Sequence, residues 1–327
     1  MRRLNLRKHT NHSGMASTRE IQIRRKSIQD TMKITNAMYM ISSTKLRKAR
    51  ANLEETEPYF FTLQSLVTNI MQRLPDVEHE FFGERTNKKP EDKVRGYIVI
   101  SADKGLAGAY NHNILKFAQD QISQWKHYKL FVVGRAGRHY LRNRGIPLAR
   151  HFHYAAQNPS LHRARIISET VMEQYRSGEL DEIYIIYTYM KNSMTTETKM
   201  TRLLPFMPEN FEQDGVESVQ PWEGDDNGMF HGELLLKPSP NAVLDNILPD
   251  CVMGYIYGAL IEAFCSEQSA RMMAMEAANK SAAEMIHDLS IEYNRVRQAM
   301  ITQEITEVIS GAKAQKKKKK AKKKEEK

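Results

Sequence analysis

From Met15 to Glu57 apolar and small side chains recur at helical spacing through Ile21, Ile28, Ile34, Met38, Ile41, Leu46, Ala49 and Leu53, while Arg24, Arg25, Lys33, Lys45, Arg47, Lys48 and Arg50 crowd the other faces. So narrow a stripe suits a long helix that meets one partner helix along a seam. No glycine or proline interrupts these residues, so one helix can reach about 65 Å at 1.5 Å per residue. Pro58 is expected to end or kink it. Ser17 and Glu20 have the S-x-x-E spacing of a capping box, which puts helix onset near Thr18.

The far end mirrors this pattern. No proline follows Pro249, and no glycine lies between Gly258 and Gly311, which leaves roughly 78 Å of possible helix. Met272, Asn279, Ile286, Tyr293 and Met300 form one heptad column; Met275, Ala282, Leu289, Val296 and Gln303 form the other. Alternating steps of three and four with mostly apolar occupants predict a coiled coil, and Asn279 in its seam would fix register. Gly311 stands where a C-terminal cap belongs. From Arg295 to Ile309 a second apolar stripe (Ile301, Ile305, Val308, Ile309) joins Arg, Gln and Thr. A helix apolar on several faces needs more than one partner, either in a larger assembly or within its own fold.

Between these helices the period changes. Arg95–Ser101, Leu130–Val133 and Ile183–Tyr187 are short β-rich runs, with helical segments near Asn111–Trp125, Ala136–Arg144 and Leu161–Ser177. The alternation predicts a βαβ domain with a mainly parallel sheet, to which Lys199–Leu204 and Gly232–Lys237 add edge strands. Residues 208–228 are acidic with no base and read as a surface insertion. The expected fold class is α/β, a long antiparallel coiled coil of N- and C-terminal helices plus a central Rossmann-like βαβ domain. Its parts are a basic N-terminal extension (1–14), an N-terminal long helix (15–58), the α/β domain (59–249), a C-terminal long helix (250–312) and a Lys-rich disordered tail (313–327).

Charge changes the picture less than its sum suggests. The net +10 comes from the two ends: residues 1–14 carry +4, residues 313–327 carry +8, and the body between is close to neutral at −2. A lysine run without an apolar face is a solvated tail before it is a polyanion-binding arm. No uncharged apolar run reaches about 18 residues, and Cys251–Ile261 is bounded by Asp250 and Glu262, so no membrane-spanning helix is expected. The first 14 residues are Arg-rich and acid-free like a transit peptide but lack a secretory apolar core, and Met15 reads as a second start. Cys251 and Cys265 are too few for a zinc site or a disulfide framework and read as reduced, buried thiols.

Candidate chemistry is sparse. Ser101–Asn111 is a glycine-bearing turn from strand to helix, a place that can hold phosphate or simply pack tightly. It has neither P-loop nor dinucleotide spacing, which favours packing. His151, His153 and His162 lack a matching Cys or acid for a metal, and there is no G-x-S-x-G. No catalytic, cofactor or metal residue is expected.

Three blocks carry a resemblance: Ile34-Thr35-Asn36-Ala37-Met38 through Lys45-Leu46-Arg47, the Ser101–Asn111 turn, and Ser266–Met272 with Tyr293–Ile305. In these the chain resembles the γ-subunit family of F-type ATP synthases over nearly all of residues 15–312. Departures include Asn36 where the family usually has lysine, Ala107 in place of a common cysteine, the acidic insertion and both charged ends. The resemblance implies a non-catalytic rotor shaft that couples proton flow to ATP synthesis or hydrolysis. Its implied partners are an α3β3 cylinder of α and β subunits, the ε subunit and the c-ring, with no nucleic acid. It also implies a peripheral place on the cytoplasmic face of the bacterial inner membrane, or alternatively an organellar inner membrane. Met38 would lie where the shaft passes the moving β domains, and Arg297, Gln298 and Thr302 in the belt gripped by the cylinder, with Arg271 a further contact. The rival readings are a nucleic-acid-binding coiled-coil protein with a basic tail and a small nucleotide-dependent α/β enzyme.

Overall fold

The computed structural model describes residues 18–74, 77–83, 88–192, 195–206 and 236–325. The basic extension, Ser17 of the capping box, the acidic insertion and most of the expected strand at 232–237 lie outside them. Among the described residues nine elements follow in order: α1 (Thr18–Arg73), β1 (Arg95–Ile100), α2 (Tyr110–Ile122), β2 (Tyr128–Val133), α3 (Arg135–Asn143), α4 (Leu161–Arg176), β3 (Glu182–Met190), β4 (Thr196–Leu204) and α5 (Pro240–Glu325). They divide into two compact units, one of residues up to Ala37 with Glu276 onward, the other from Met38 to Met275.

In the larger unit the sheet runs β2-β1-β3-β4, with β1 parallel to β2 and β3; β4 lies at the edge as expected, and its direction is antiparallel. β1 is buried on both faces, so its run is almost continuously apolar. Tyr97 and Val99 face Ile114, Leu115, Ala118 and Ile122 of α2. Ile98 and Ile100 face the other layer, where α4 contributes Ile167, Val171 and Tyr175. Ser160 caps α4 by accepting the Arg163 N–H at 3.3 Å.

Both long helices run past their expected limits. α1 continues through Pro58 to Arg73, because Val67 and Ile70 are wholly buried in the core and packing outweighs the one backbone bond that proline removes. α5 begins ten residues before position 250 and passes through Pro249. Its backbone stays helical to Glu325, where composition pointed to a disordered tail; lysine and alanine are good helix formers, and propagation adds one bond per residue. α5 also holds an 18-residue window apolar enough to cross a bilayer by composition, but 67% of that window is buried inside the protein. It is a core helix: Val252, Ile256, Leu260, Ala263 and Phe264 are buried together with Cys251 and Cys265.

The smaller unit is a helix pair. On α5, the residues from Glu276 to Lys316 withdrawn from solvent are Asn279, Ala282, Ile286, Leu289, Ser290, Tyr293 and Val296, six of them from the two heptad columns. On α1 the seam is Thr18, Ile21, Arg25, Ile28, Met32 and Thr35. Ile34, expected in the stripe, is 62% exposed. The seven-residue step from Ile21 through Ile28 reaches Thr35 instead and turns its neighbour outward. Asn279 Nδ2 donates to Asn36 Oδ1 at 2.6 Å, the Thr35 hydroxyl donates to Asn279 Oδ1, and Gln22 Nε2 donates to the Tyr293 hydroxyl at 2.9 Å. The pairings descend α1 as they climb α5, which makes the pair antiparallel.

Candidate functional site

The Ser101–Asn111 turn is closed from within. The Ser101 hydroxyl donates to the Val133 carbonyl at 2.9 Å and accepts the Gly137 N–H at 3.0 Å. Asp103 is buried, one oxygen accepting the Arg135 N–H at 3.0 Å and the other the Gln157 N–H at 2.9 Å. Asn111 Oδ1 accepts the Ala102 N–H at 3.0 Å. Gly134, with φ of 94°, and Gly137 let α3 approach so closely that a Cβ on either would sit within 2.2 Å and 2.3 Å of Ser101 atoms. The Ser101, Asp103 and Asn111 side chains of the turn are thus engaged within the protein.

The crevice beside this turn is filled as well. Open α/β sheets hold ligands at the carboxyl ends of strands where chain order reverses, here between β1 and β3. α5 occupies that place. Ala270 packs on Ala102, Ala107 and Tyr110. The Tyr110 hydroxyl donates to the Ala263 carbonyl at 3.0 Å, and Arg271 Nη2 donates to the Gly105 carbonyl at 3.2 Å and to Glu267 Oε1 at 2.6 Å. Burial raises the Glu267 carboxyl above its ordinary range even against the Arg271 charge. The geometry there anchors a helix.

The five expected contact residues separate into two groups. Met38, half-buried on α1, and Arg271, buried on α5, belong to the larger unit. Arg271 is committed to internal bonds. Arg297, Gln298 and Thr302 lie exposed on adjacent turns of α5 in the smaller unit, the Thr302 hydroxyl donating to the Gln298 carbonyl at 2.9 Å. With them lie Ile301, Ile305, Val308 and Ile309, exposed by 44%, 54%, 72% and 50%. The second stripe is therefore not buried among the described residues of its own fold.

Among the described residues no three His, Cys, Asp or Glu side chains gather as a metal site. Burial pushes the Cys251 and Cys265 thiols up to about 12, which keeps them protonated and inert. Sequence reasoning missed the buried ionic cluster at the strand starts. There Lys93 Nζ and Arg95 Nε donate to Glu182 at 3.1 Å and 2.9 Å while Arg95 stacks on Trp125 at 3.4 Å. Burial alone would raise the Glu182 carboxyl, but Lys93, Arg95 and the Tyr184 hydroxyl together hold it below its ordinary value. Basic residues opening a strand were the available signal.

Comparison with known proteins points one way. A protein-family model described as ATP synthase matches residues 17–315. The ATP synthase gamma chain of Ruminiclostridium cellulolyticum is 42% identical over 297 residues, spanning 90% of this chain and 98% of that relative. That of Acetivibrio thermocellus is 40% identical over 303 residues, spanning 92% and 100%. Among solved structures, a chain of the Euglena gracilis mitochondrial ATP synthase (OSCP/F1/c-ring, rotational state 3) aligns with a TM-score of 0.59 at 16% identity, covering 92% of this chain and 95% of that one, which establishes a shared fold.

Proposed function

The chain belongs to the ATP synthase gamma chain family, whose members are the non-catalytic central rotor stalk, and from that premise we propose how its surfaces divide the work. The exposed end of α5 is the part that runs inside a cylinder of α and β subunits, and the sheet-bearing unit is the foot that meets the ε subunit and the c-ring. The matching chain from Euglena gracilis comes from an assembly with F1 and a c-ring, and those partners are carried to this chain by likeness. As part of such a complex it sits peripherally on the cytoplasmic face of a bacterial inner membrane.

One observation carries the reading. Ile301, Ile305, Val308 and Ile309 stay exposed at the end of a helix whose earlier turns pair with α1, and an apolar stripe of that kind needs a partner from outside the chain. Arg297, Gln298 and Thr302 supply polar grips beside it. A single asymmetric shaft in a near-threefold bore contacts each β subunit differently and so favours a different conformation in each. Rotation carries those preferences around the ring, linking ion flow to the catalytic sites through differential contact free energy. This chain contributes stiffness and shape, while α and β supply the catalytic groups.

The test is a double substitution, Arg297→Ala with Gln298→Ala, in the reconstituted complex. The circular dichroism of the isolated chain should stay as it was, because both side chains are exposed. ATP yield per ion gradient and rotational torque should fall. Undiminished torque and yield would remove those residues from the contact belt.

A further inference from the structure

We propose that the concave basic surface on α3 is a binding site for a compact, multiply charged phosphate. Arg135, Arg138 and Arg142 follow one another at steps of three and four along α3, which brings them to one helix face. With His139, His153 and Asp103 they line an open space of about 670 Å³. A second space of about 370 Å³ shares Arg138, Arg142 and His153 and adds Arg150 and His151, with no acid on its wall.

The positive charge there exceeds the negative, three arginines against one carboxylate. Among the described residues none of the three α3 arginines forms an ion pair. The one carboxylate on the wall, Asp103, has both oxygens turned to the Arg135 and Gln157 backbone N–H groups. Arg138 also has its Nη1 atom fully buried with no hydrogen-bond partner among the described residues. A guanidinium N–H without an acceptor is costly, so the Arg138 fork gains by turning toward an anionic oxygen held in the space that the residue lines.

The walls define the ligand. The first N–H groups of α3 are already taken, Arg135 by Asp103, Ala136 by the Ala102 carbonyl and Gly137 by Ser101, so side chains do the binding. Guanidinium forks suit phosphate oxygens bidentately. Ala136 is the one aliphatic residue on the wall of the larger space, whose rings are the imidazoles of His139 and His153, so guanidinium groups dominate and favour phosphate oxygens over a nucleoside base. The same phosphate chemistry is offered by soluble pyrophosphate and by the headgroup of an anionic phospholipid.

Titration calorimetry of the purified full chain with sodium pyrophosphate at low ionic strength should show one saturable site. Arg138→Gln with Arg142→Gln should weaken it roughly tenfold or more, and Arg138→Lys, which keeps the charge and loses the fork, by roughly threefold. Arg24→Gln, which removes an exposed charge on α1, should leave it unchanged. Pyrophosphate should raise the thermal midpoint of the wild type but not of the double variant. Sedimentation with phosphatidylglycerol vesicles, against phosphatidylcholine vesicles, is the second arm: capture abolished by the double substitution, without pyrophosphate binding, keeps the site and assigns its phosphate to a lipid. Binding in neither arm, binding that survives the double substitution, or equal weakening by Arg24→Gln overturns the proposal. If the double variant does not fold, Arg138→Lys decides alone: affinity unchanged from wild type overturns it.

Discussion

Replacing Ile301, Ile305, Val308 and Ile309 together by alanine separates the two fates open to an apolar stripe at a helix end. Full burial of one such side chain is worth about 1.5–3 kcal/mol. The structure leaves these four exposed by 44–72%, so roughly half of that remains to be gained from a partner, or about 1 kcal/mol each. If a cylinder of α and β subunits covers all four, the variant should lose about 4 kcal/mol of assembly free energy, on the order of a thousandfold in affinity. The isolated chain should be nearly indifferent, with an unfolding free energy from urea titration changed by less than about 0.5 kcal/mol, because alanine is a better helix former than isoleucine or valine. The control is Leu289→Ala, which removes a buried seam residue and should cost the isolated chain about 2–3 kcal/mol. Denaturant unfolding of the chain and quantitative assembly with α and β subunits measure the two effects. Should the quadruple variant destabilise the chain as much as Leu289→Ala does, the stripe is buried in its own fold. Should assembly be unaffected, the stripe is not an interface.

Two further outcomes follow from polar groups in apolar places. Asn279→Leu removes the bonds to Asn36 and Thr35 and puts an apolar side chain in the seam; helix-pair stability should hold or rise while register loosens. Disulfide formation between Gln22→Cys and Tyr293→Cys reads this, as one product in the parent and slipped products with neighbouring cysteines in the variant. Glu182→Gln takes from buried Lys93 and Arg95 the carboxylate to which both donate and should cost about 3–5 kcal/mol at pH 7. Because the folded-state pKa of Glu182 is lowered from 4.5, the carboxylate's contribution is present above that value and lost as pH falls through the depressed folded-state value. The gap between parent and variant in thermal unfolding should therefore be constant near neutrality and narrow below about pH 4.5; a gap unchanged down to pH 3 would contradict the assigned ion pairs.

The α5 seam was legible in the sequence because a strict heptad is a one-dimensional signal: Asn279, Ala282, Ile286, Leu289, Tyr293 and Val296 all turn inward. Met300 and Gln303 continue the columns yet are exposed. On α1 hydrophobicity misled. Ile34 and Ile41 look like seam residues but point outward, while Thr35 and Ser42 point in, because the period outweighs the identity of any one side chain. The sheet and its edge strand were legible from short β-branched runs, but the antiparallel direction of that edge was not. The continuation of α1 through Pro58 was not, since it rests on tertiary burial of Val67 and Ile70. Nor was the commitment of Arg271, whose acceptors include a carbonyl 166 positions away, or the gathering of α3 arginines with His153.

A sheet of nucleotide-binding type without nucleotide chemistry makes sense once the ligand crevice is seen to hold a helix. Bonds from Tyr110 to the Ala263 carbonyl, from Arg271 to the Gly105 carbonyl, and from the Met190 N–H to Glu262 at 3.4 Å hold α5 at two places, the adjacent Glu262 and Ala263 and, about two turns on, Arg271. They fasten the helix to the carboxyl ends of β1 and β3. Each is worth only about 1 kcal/mol net, somewhat more where charged. Their directions matter more than their sum, because hydrogen bonds resist sliding and turning about the helix axis in a way that non-directional apolar packing does not. A shaft that transmits torque must not spin in its socket, and the place where related folds bind a cofactor is where this one locks its axle.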